Sequence, residues 1–241
     1  MTPISSGHSG FQMHPILGSI RSTSVQSHEI RPATAVLPFI TISRQAGAGG
    51  HTLAKLLAQR LDANLGEQDR RWQCFDRELV EKVVADHKIA EELIHSLEDS
   101  SHTWLEELVQ GFSLRSHATP SETAIFQRVA ATVRALAQAG RVILVGCAAG
   151  FITTHMPGGI HLRLVARFAH RVATMSRQWD ISLDEAAARV SEIDRNRLAF
   201  YKRFFPNRPL TAEEFTLTLN SSALREEEMV KCILPLIKDG G

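Results

Sequence analysis

The chain has 241 residues, of which 44% are hydrophobic and 22% are charged, and its formal net charge at pH 7 is +1. A chain of this length and composition can bury the core of one main domain. The nearly neutral charge argues against a dedicated DNA- or RNA-binding protein, because such proteins carry a strongly basic face that neutralises many phosphates.

The first 36 residues differ in composition from the rest of the chain. Ser, Gly, His and Pro dominate there, and Glu29 is the only acidic residue. This composition predicts a flexible tail over residues 1–36, followed by one α/β domain over residues 37–241. No stretch approaches the length of a membrane-spanning helix, so we expect a soluble, cytoplasmic protein without a membrane partner.

Residues 40–54 read as a β-branched strand, a glycine-rich turn and an amphipathic helix, which is how phosphate-binding loops are built. Glycines in the turn let the backbone approach a ligand closely, and a helix that starts near Gly50 directs its positive end at the same phosphate. The predicted phosphate-binding residues are Gly47, Ala48, Gly49, Gly50, His51 and Thr52.

The standard loop G-x-x-x-x-G-K-[ST] carries a lysine that is missing here. Gly50 and His51 stand where the lysine and the Ser/Thr are expected. Arg44 and His51 are the nearby side chains that could replace its charge, and we favour Arg44 because a guanidinium is always charged. An ordinary glycine-rich turn between a strand and a helix remains the alternative, and the loop alone does not decide between them.

The remaining segments alternate between strands and helices in chain order. Strands are predicted at 39–43, 72–75, 141–145, 160–165 and 215–219, and helices at 50–61, 77–85, 89–97, 103–110, 122–138, 167–178, 183–204 and 224–237, the last interrupted at Pro235. This order predicts a doubly wound parallel sheet flanked by helices, whose ligand crevice lies off the carboxyl ends of the strands. Asp76 and Gly146 should lie there beside the glycine loop.

Two groups of polar residues are candidates for chemistry. Asp76 ends a predicted strand, where its carboxylate could hold water on Mg²⁺, bind an acceptor sugar or base, or cap the following helix. Asp194 and Arg197 are three residues apart on a predicted helix and share a face, so the carboxylate can orient a guanidinium. A surface ion pair is the alternative interpretation.

Cysteines and histidines give no sign of a metal site. The three cysteines are far apart and form no C-x-x-C pair, which predicts neither a disulfide framework nor a zinc site. His155 and His161 are neighbours in a segment that looks like a loop, without a cysteine or carboxylate at ligand spacing. We expect them to be surface histidines, and we predict no metal site of the protein's own.

Several segments together resemble the cytidylate kinase-like family, a branch of the nucleoside monophosphate kinases. The residues from 40 to 61, ITISRQAGAGGHTLAKLLAQRL, resemble the opening of the family, whose members often carry S-R-x-x-G-x-G-G instead of a lysine-bearing loop. Residues 74–79, CFDREL, are similar to its aromatic-Asp-x-Glu-Leu segment. Residues 194–197, DRNR, resemble the D-R-x-R of the cytidylate kinase lid. The resemblance extends from about residue 38 to about residue 238.

The resemblance implies a P-loop nucleoside monophosphate kinase-like fold with a helical substrate-binding insertion at about 77–139 and a helical lid at about 180–208. It also implies ATP and Mg²⁺ as cofactors and small-molecule nucleotides as partners. The implied catalytic residues are Arg44, Asp194, Arg195 and Arg197. The implied substrate-binding residues are Asp76, Arg77 and Gly146.

The sequence departs from the family pattern at two further positions. Cys147 replaces an arginine that follows the strand-ending glycine, and Val190 replaces a lid arginine. Two hypotheses therefore stand. The first is an ATP-dependent phosphotransferase that acts on a nucleoside monophosphate, nominally CMP or dCMP. The second is a regulatory protein that binds nucleotides and has kept the kinase fold without turnover.

Overall fold

The computed structural model describes residues 36–76, 120–146 and 148–237. The tail predicted at 1–36 lies outside the described residues except for Val36. The helices predicted at 77–85, 89–97 and 103–110, most of the predicted insertion and Cys147 also lie outside them. Among the described residues, no helix is both long enough and apolar enough to cross a membrane.

Five strands form one sheet in which every neighbouring pair is parallel. The strands are β1 Phe39–Arg44, β2 Gln73–Asp76, β3 Val142–Val145, β4 Gly159–Val165 and β5 Leu217–Asn220, in the spatial order β2-β3-β1-β4-β5. The parallel sheet predicted from the alternation of strands and helices is therefore confirmed. β5 begins two residues later than predicted, because Phe215 N–H closes a 3₁₀ turn by donating to Ala212 O at 3.1 Å.

Helices connect the strands. They are α1 Gly50–Asp62, α2 Pro120–Ala139, α3 Ala149–Ile152, α4 Phe168–Trp179, α5 Leu183–Phe204 and α6 Glu226–Ile233, with 3₁₀ turns at Ala212–Glu214 and Leu234–Leu236. The short helix α3 was not predicted. α6 ends before Pro235, which has no backbone N–H to continue the helical hydrogen bonds.

Helices cover both faces of the sheet, as the prediction of a doubly wound fold requires. On one face, Ile40 and Ile42 of β1 join a fully buried core with Leu53 and Leu57 of α1, and α6 packs on α1. On the other face, α3 lies so close to β1 that a Cβ added at Gly150 would lie 3.1 Å from Thr41 Oγ1. α2 packs on α3 and on that part of the sheet.

His161 does not lie in a surface loop, so that expectation was wrong. It belongs to β4, is only 8% exposed, and its Nδ1 lies 2.9 Å from Thr41 Oγ1. Burial and the nearby charge of Arg208 lower the pKa of His161 to about 4. His155, in contrast, is exposed as expected.

We expect this histidine to make the protein less stable in acid. Between its ordinary pKa of 6.5 and about 4, His161 takes up a proton in the unfolded chain and stays neutral in the folded one. The free energy of unfolding should therefore fall, as the pH is lowered through this window, by up to about 1.4 kcal/mol per pH unit. Urea unfolding from pH 7.5 to 4.5 would measure this slope.

His161→Gln keeps a hydrogen-bonding side chain that does not titrate, so its slope should be shallower than that of the wild type. His155→Gln is the matched control, because it removes an exposed histidine. Equal slopes for the wild type and His161→Gln would show that His161 is not the group responsible.

Candidate functional site

The glycine loop joins β1 to α1 at the carboxyl edge of the sheet. Gly47 and Gly49 have φ angles of +73° and +81°, which lie in the left-handed region that favours glycine. The first backbone hydrogen bond of α1 runs from Leu53 N–H to Gly49 O, at 3.0 Å. The N–H groups of Gly50 and the next two residues precede this bond, so they have no acceptor within the helix.

The amino end of α1 is suited to bind an anion. No side chain caps the helix, and the described residues of its first turn, 50–53, include no acidic residue. A Cβ added at Gly49 would meet no atom within 4 Å, so there is open space beside the loop. Backbone N–H groups and the positive end of the helix dipole favour a phosphate in such a position. The loop therefore has the geometry of an anion-binding site.

Arg44 runs along the edge of the sheet from the loop to the end of β3. A Cβ added at Gly50 would lie 3.1 Å from Arg44 Cγ and 3.4 Å from Arg44 Cδ. A Cβ added at Gly146, whose φ is +88°, would clash with Arg44 Nη1. The stem of Arg44 thus packs tightly against the place where a side chain at position 50 would begin. This geometry fits the prediction that Arg44 replaces the missing lysine.

Helix α5 contacts the start of the loop through two residues that lie one turn apart. Asp194 Oδ1 accepts a hydrogen bond from Ala46 N–H at 2.8 Å, and its Oδ2 accepts one from Arg171. Arg197 Nη1 donates to the backbone oxygen of Arg44 at 3.0 Å. The carboxylate of Asp194 therefore contacts the loop, and its predicted role in orienting the arginines of the lid stays a prediction.

The other predicted site residues lie around this edge. Asp76 ends β2, and its Oδ2 is 3.8 Å from Nδ1 of His51 in the first turn of α1. Gly146 follows β3, and its N–H donates to Ile42 O at 3.0 Å. Arg195 is exposed on α5. Arg77 lies outside the described residues, so its predicted contact with substrate is not tested.

Sequence reasoning missed a polar group at the ends of β1 and β4. Arg163 Nη1 lies 3.4 Å from Ser43 Oγ, and the hydroxyl of Tyr201 lies 3.5 Å from the same oxygen. Burial lowers the pKa of Arg163 from its ordinary value. An arginine between two leucines of a central strand is the signal that could have identified this residue. Arg171 was also missed as a site residue, and no sequence pattern indicates its contacts.

A divalent cation would have few protein ligands here. Within the described residues, no three His, Cys, Asp or Glu side chains cluster in a way that could hold a metal. Asp76 is the carboxylate beside the first turn of α1. Mg²⁺ in nucleotide sites is usually bound by one or two carboxylates, water and the phosphates themselves. The residues present therefore fit Mg²⁺ that arrives with a nucleotide.

Comparison with known proteins identifies relatives of the fold. The model of the cytidylate kinase-like family matches residues 39–223. No curated protein sequence matches the chain. Among solved structures, an uncharacterized protein from Eubacterium ventriosum has a TM-score of 0.64 at 16% identity, over 83% of this chain and 97% of that chain.

Two shikimate kinases are also similar. The enzyme from Bacteroides thetaiotaomicron has a TM-score of 0.44 at 15% identity, over 83% of this chain and 97% of that one. The enzyme from Acinetobacter baumannii, in complex with shikimate, has a TM-score of 0.43 at 16% identity, over 85% and 95% of the two chains. Because both TM-scores are below 0.5, these two similarities carry no argument about this chain.

Proposed function

The chain belongs to the cytidylate kinase-like family, and on this basis we propose that it is an ATP-dependent phosphotransferase that acts on a nucleoside monophosphate, nominally CMP or dCMP. The observation that carries the proposal is the arrangement of the glycine loop. The uncapped amino end of α1 and the guanidinium of Arg44 lie at the same edge of the sheet. The guanidinium fits there because Gly146, after β3, has no side chain.

In this proposal the protein positions the two substrates and neutralises the charge of the phosphates, because phosphoryl transfer requires little covalent chemistry from the enzyme. The N–H groups of Gly47 and of residues 49–52 hold the donor phosphates, while the N–H of Ala48 donates to Gln45 O at 3.3 Å. Arg44 supplies the charge of the absent lysine, and Arg197 and Arg195 belong to the lid. Asp76 would hold Mg²⁺ through the water ligands of the ion, and the ion would supply positive charge against the phosphates.

The acceptor belongs at the ends of β2 and β3 in the same proposal. Asp76 and Gly146 lie there next to each other, because Asp76 pairs in register with Val145, the residue before Gly146. Arg77 follows Asp76 directly in the sequence and is the proposed cation for the acceptor. The nominal pyrimidine acceptor comes from the family resemblance.

The experiment that tests the function is phosphoryl transfer from Mg-ATP to CMP, dCMP, UMP, AMP and GMP, with products resolved by chromatography and ATP binding followed by calorimetry. We expect diphosphate product from CMP or dCMP in preference to the purine nucleotides. Arg44→Ala, purified in the same way, controls for a contaminating kinase. Reactions with EDTA test the requirement for Mg²⁺.

One observation favours the regulatory alternative. Val190, where the family has a lid arginine, is fully buried in an apolar cluster with Ala46, Val172 and Met175. The side chain at position 190 therefore belongs to the apolar core and does not face a ligand. ATP binding without product from any acceptor would favour a nucleotide-binding regulatory protein. Absence of both binding and product would overturn both functions.

A further inference from the structure

Arg171 is a buried charge that connects three parts of the structure. It lies on α4 and is only 6% exposed. Its Nε donates to Ala166 O at 3.1 Å, and its Nη1 donates to Ala46 O at 3.1 Å and to the carboxylate of Asp194. Arginine is rarely this buried unless its charge is paired and its donors are satisfied. Here the partners are the segment after β4, the glycine loop and α5.

The ion pair between Arg171 and Asp194 binds both backbone polar groups of Ala46, its carbonyl oxygen and its N–H. Arg171 binds the carbonyl oxygen of Ala46, while Asp194 Oδ1 accepts from the N–H of Ala46 at 2.8 Å. Ala46 is itself only 3% exposed and directly precedes the first glycine of the loop. Neither orientation nor position of this residue can change without breaking a charge-assisted hydrogen bond.

The next residue, Gly47, lies in close contact with α4. A Cβ added at Gly47 would lie 2.6 Å from Arg171 O and 2.9 Å from Met175 Cγ. The backbone of the loop therefore rests on α4 at Gly47 and is bound to the Arg171 side chain at Ala46. Both contacts fix the place from which the loop continues toward α1.

We propose that Arg171 and Asp194 are positioning residues for the phosphate loop, which act through Ala46 to hold its N–H groups in the arrangement that binds the donor phosphates. The identity of the ligand rests on the proposed function. In this role Asp194 acts on the loop from α5 and touches no reacting atom. A pair that served only to join α4 to α5 would affect stability without a selective effect on the donor.

The test compares Arg171→Met and Asp194→Asn with Arg177→Met. Arg177 is the matched control, because it lies on the same helix, is exposed, and has its Nε bonded to Ala173 O of its own helix. For Arg171→Met we expect ATP affinity to fall at least about tenfold and the KM for ATP to rise in parallel. The KM for the acceptor should stay within about twofold, and Arg177→Met should behave as wild type.

A second readout does not depend on activity. Amide exchange of Ala46 can be followed by NMR without nucleotide. It should become at least about tenfold faster in Arg171→Met, because the Asp194 carboxylate that accepts from the Ala46 N–H is then no longer held in place by Arg171. Asp194→Asn keeps an oxygen for this N–H but loses the charge, so its effect should be smaller. Asp194 is partly exposed, and this variant gives the same readouts if Arg171→Met fails to fold.

Unchanged ATP affinity and unchanged Ala46 exchange, with only a lower unfolding midpoint, would overturn the proposal and leave a purely structural ion pair. Failure of the proposed function looks different. In that case the wild type would neither bind ATP nor form product, while the exchange of Ala46 would still report whether the pair holds the loop.

Discussion

Arg44→Ala should lower kcat/KM for phosphoryl transfer by about 10²–10³-fold, the usual effect of removing one preorganised donor to developing charge. The stem of Arg44 lies within 3.4 Å of the Cβ position of residue 50, and its guanidinium reaches the end of β3 at Gly146. It is therefore the cation proposed to serve the donor phosphates. Steady-state kinetics with ATP as the varied substrate, at a saturating acceptor concentration, would measure the loss.

A double-mutant cycle with position 50 sharpens this prediction. Gly50→Lys alone should impair turnover, because its Cβ would lie 3.1 Å from Arg44 Cγ and displace that side chain. Combined with Arg44→Ala, the same lysine enters vacated space at the position of the standard P-loop residue. The double variant should therefore be more active than Arg44→Ala. If the loss of activity in the double variant equals the sum of the losses in the two single variants, Arg44 does not occupy the place of the lysine.

Arg197→Ala should abolish measurable turnover, with a loss of at least about 10³-fold, while the dissociation constant of Mg-ATP changes little. An arginine from the lid stabilises charge that develops only as the phosphoryl group moves, so its removal should affect the rate more than ground-state binding. Arg197 already lies at the loop, where it donates to Arg44 O at 3.0 Å. Single-turnover kinetics and calorimetry would separate the two effects.

Arg189→Ala is the control on the same helix. Arg189 is exposed, forms an ion pair with Glu185 and lies over the ring of Trp179. Its removal should leave turnover within about twofold of wild type, as for most surface substitutions. If Arg197→Ala weakens ATP binding as much as it slows turnover, Arg197 is a ground-state contact and its assignment to the lid is wrong.

Local patterns in the sequence were enough to predict most of the fold. The bounds predicted for α5 agree with Leu183–Phe204 at both ends, and at its start Ser182 caps the helix by accepting a hydrogen bond from Glu185 N–H. The predicted start of α1 at Gly50 is also confirmed. Periodicity and caps depend on neighbouring residues, so they can be read from a single sequence.

The contacts that the sequence did not reveal join residues far apart in the chain. Asp194 finds Arg171 on another helix and Ala46 at the loop, and His161 finds Thr41 on a neighbouring strand. Such pairs depend on how elements pack and on which way each side chain turns. Helical spacing correctly placed Asp194 and Arg197 one turn apart, but it did not specify the backbone groups that they contact.

The attachment of α5 to Arg44 and Ala46 has a thermodynamic consequence. α5 also packs on α4 through Ala186 and Val190, so α4 and α5 share a core with Ala46. A ligand that favours one arrangement of the loop therefore favours the matching arrangement of this pair of helices. By linkage, anything that favours that arrangement of the helices raises the affinity for the ligand by the same factor. Occupancy of the loop and the position of α4 and α5 are thus two coordinates of one equilibrium.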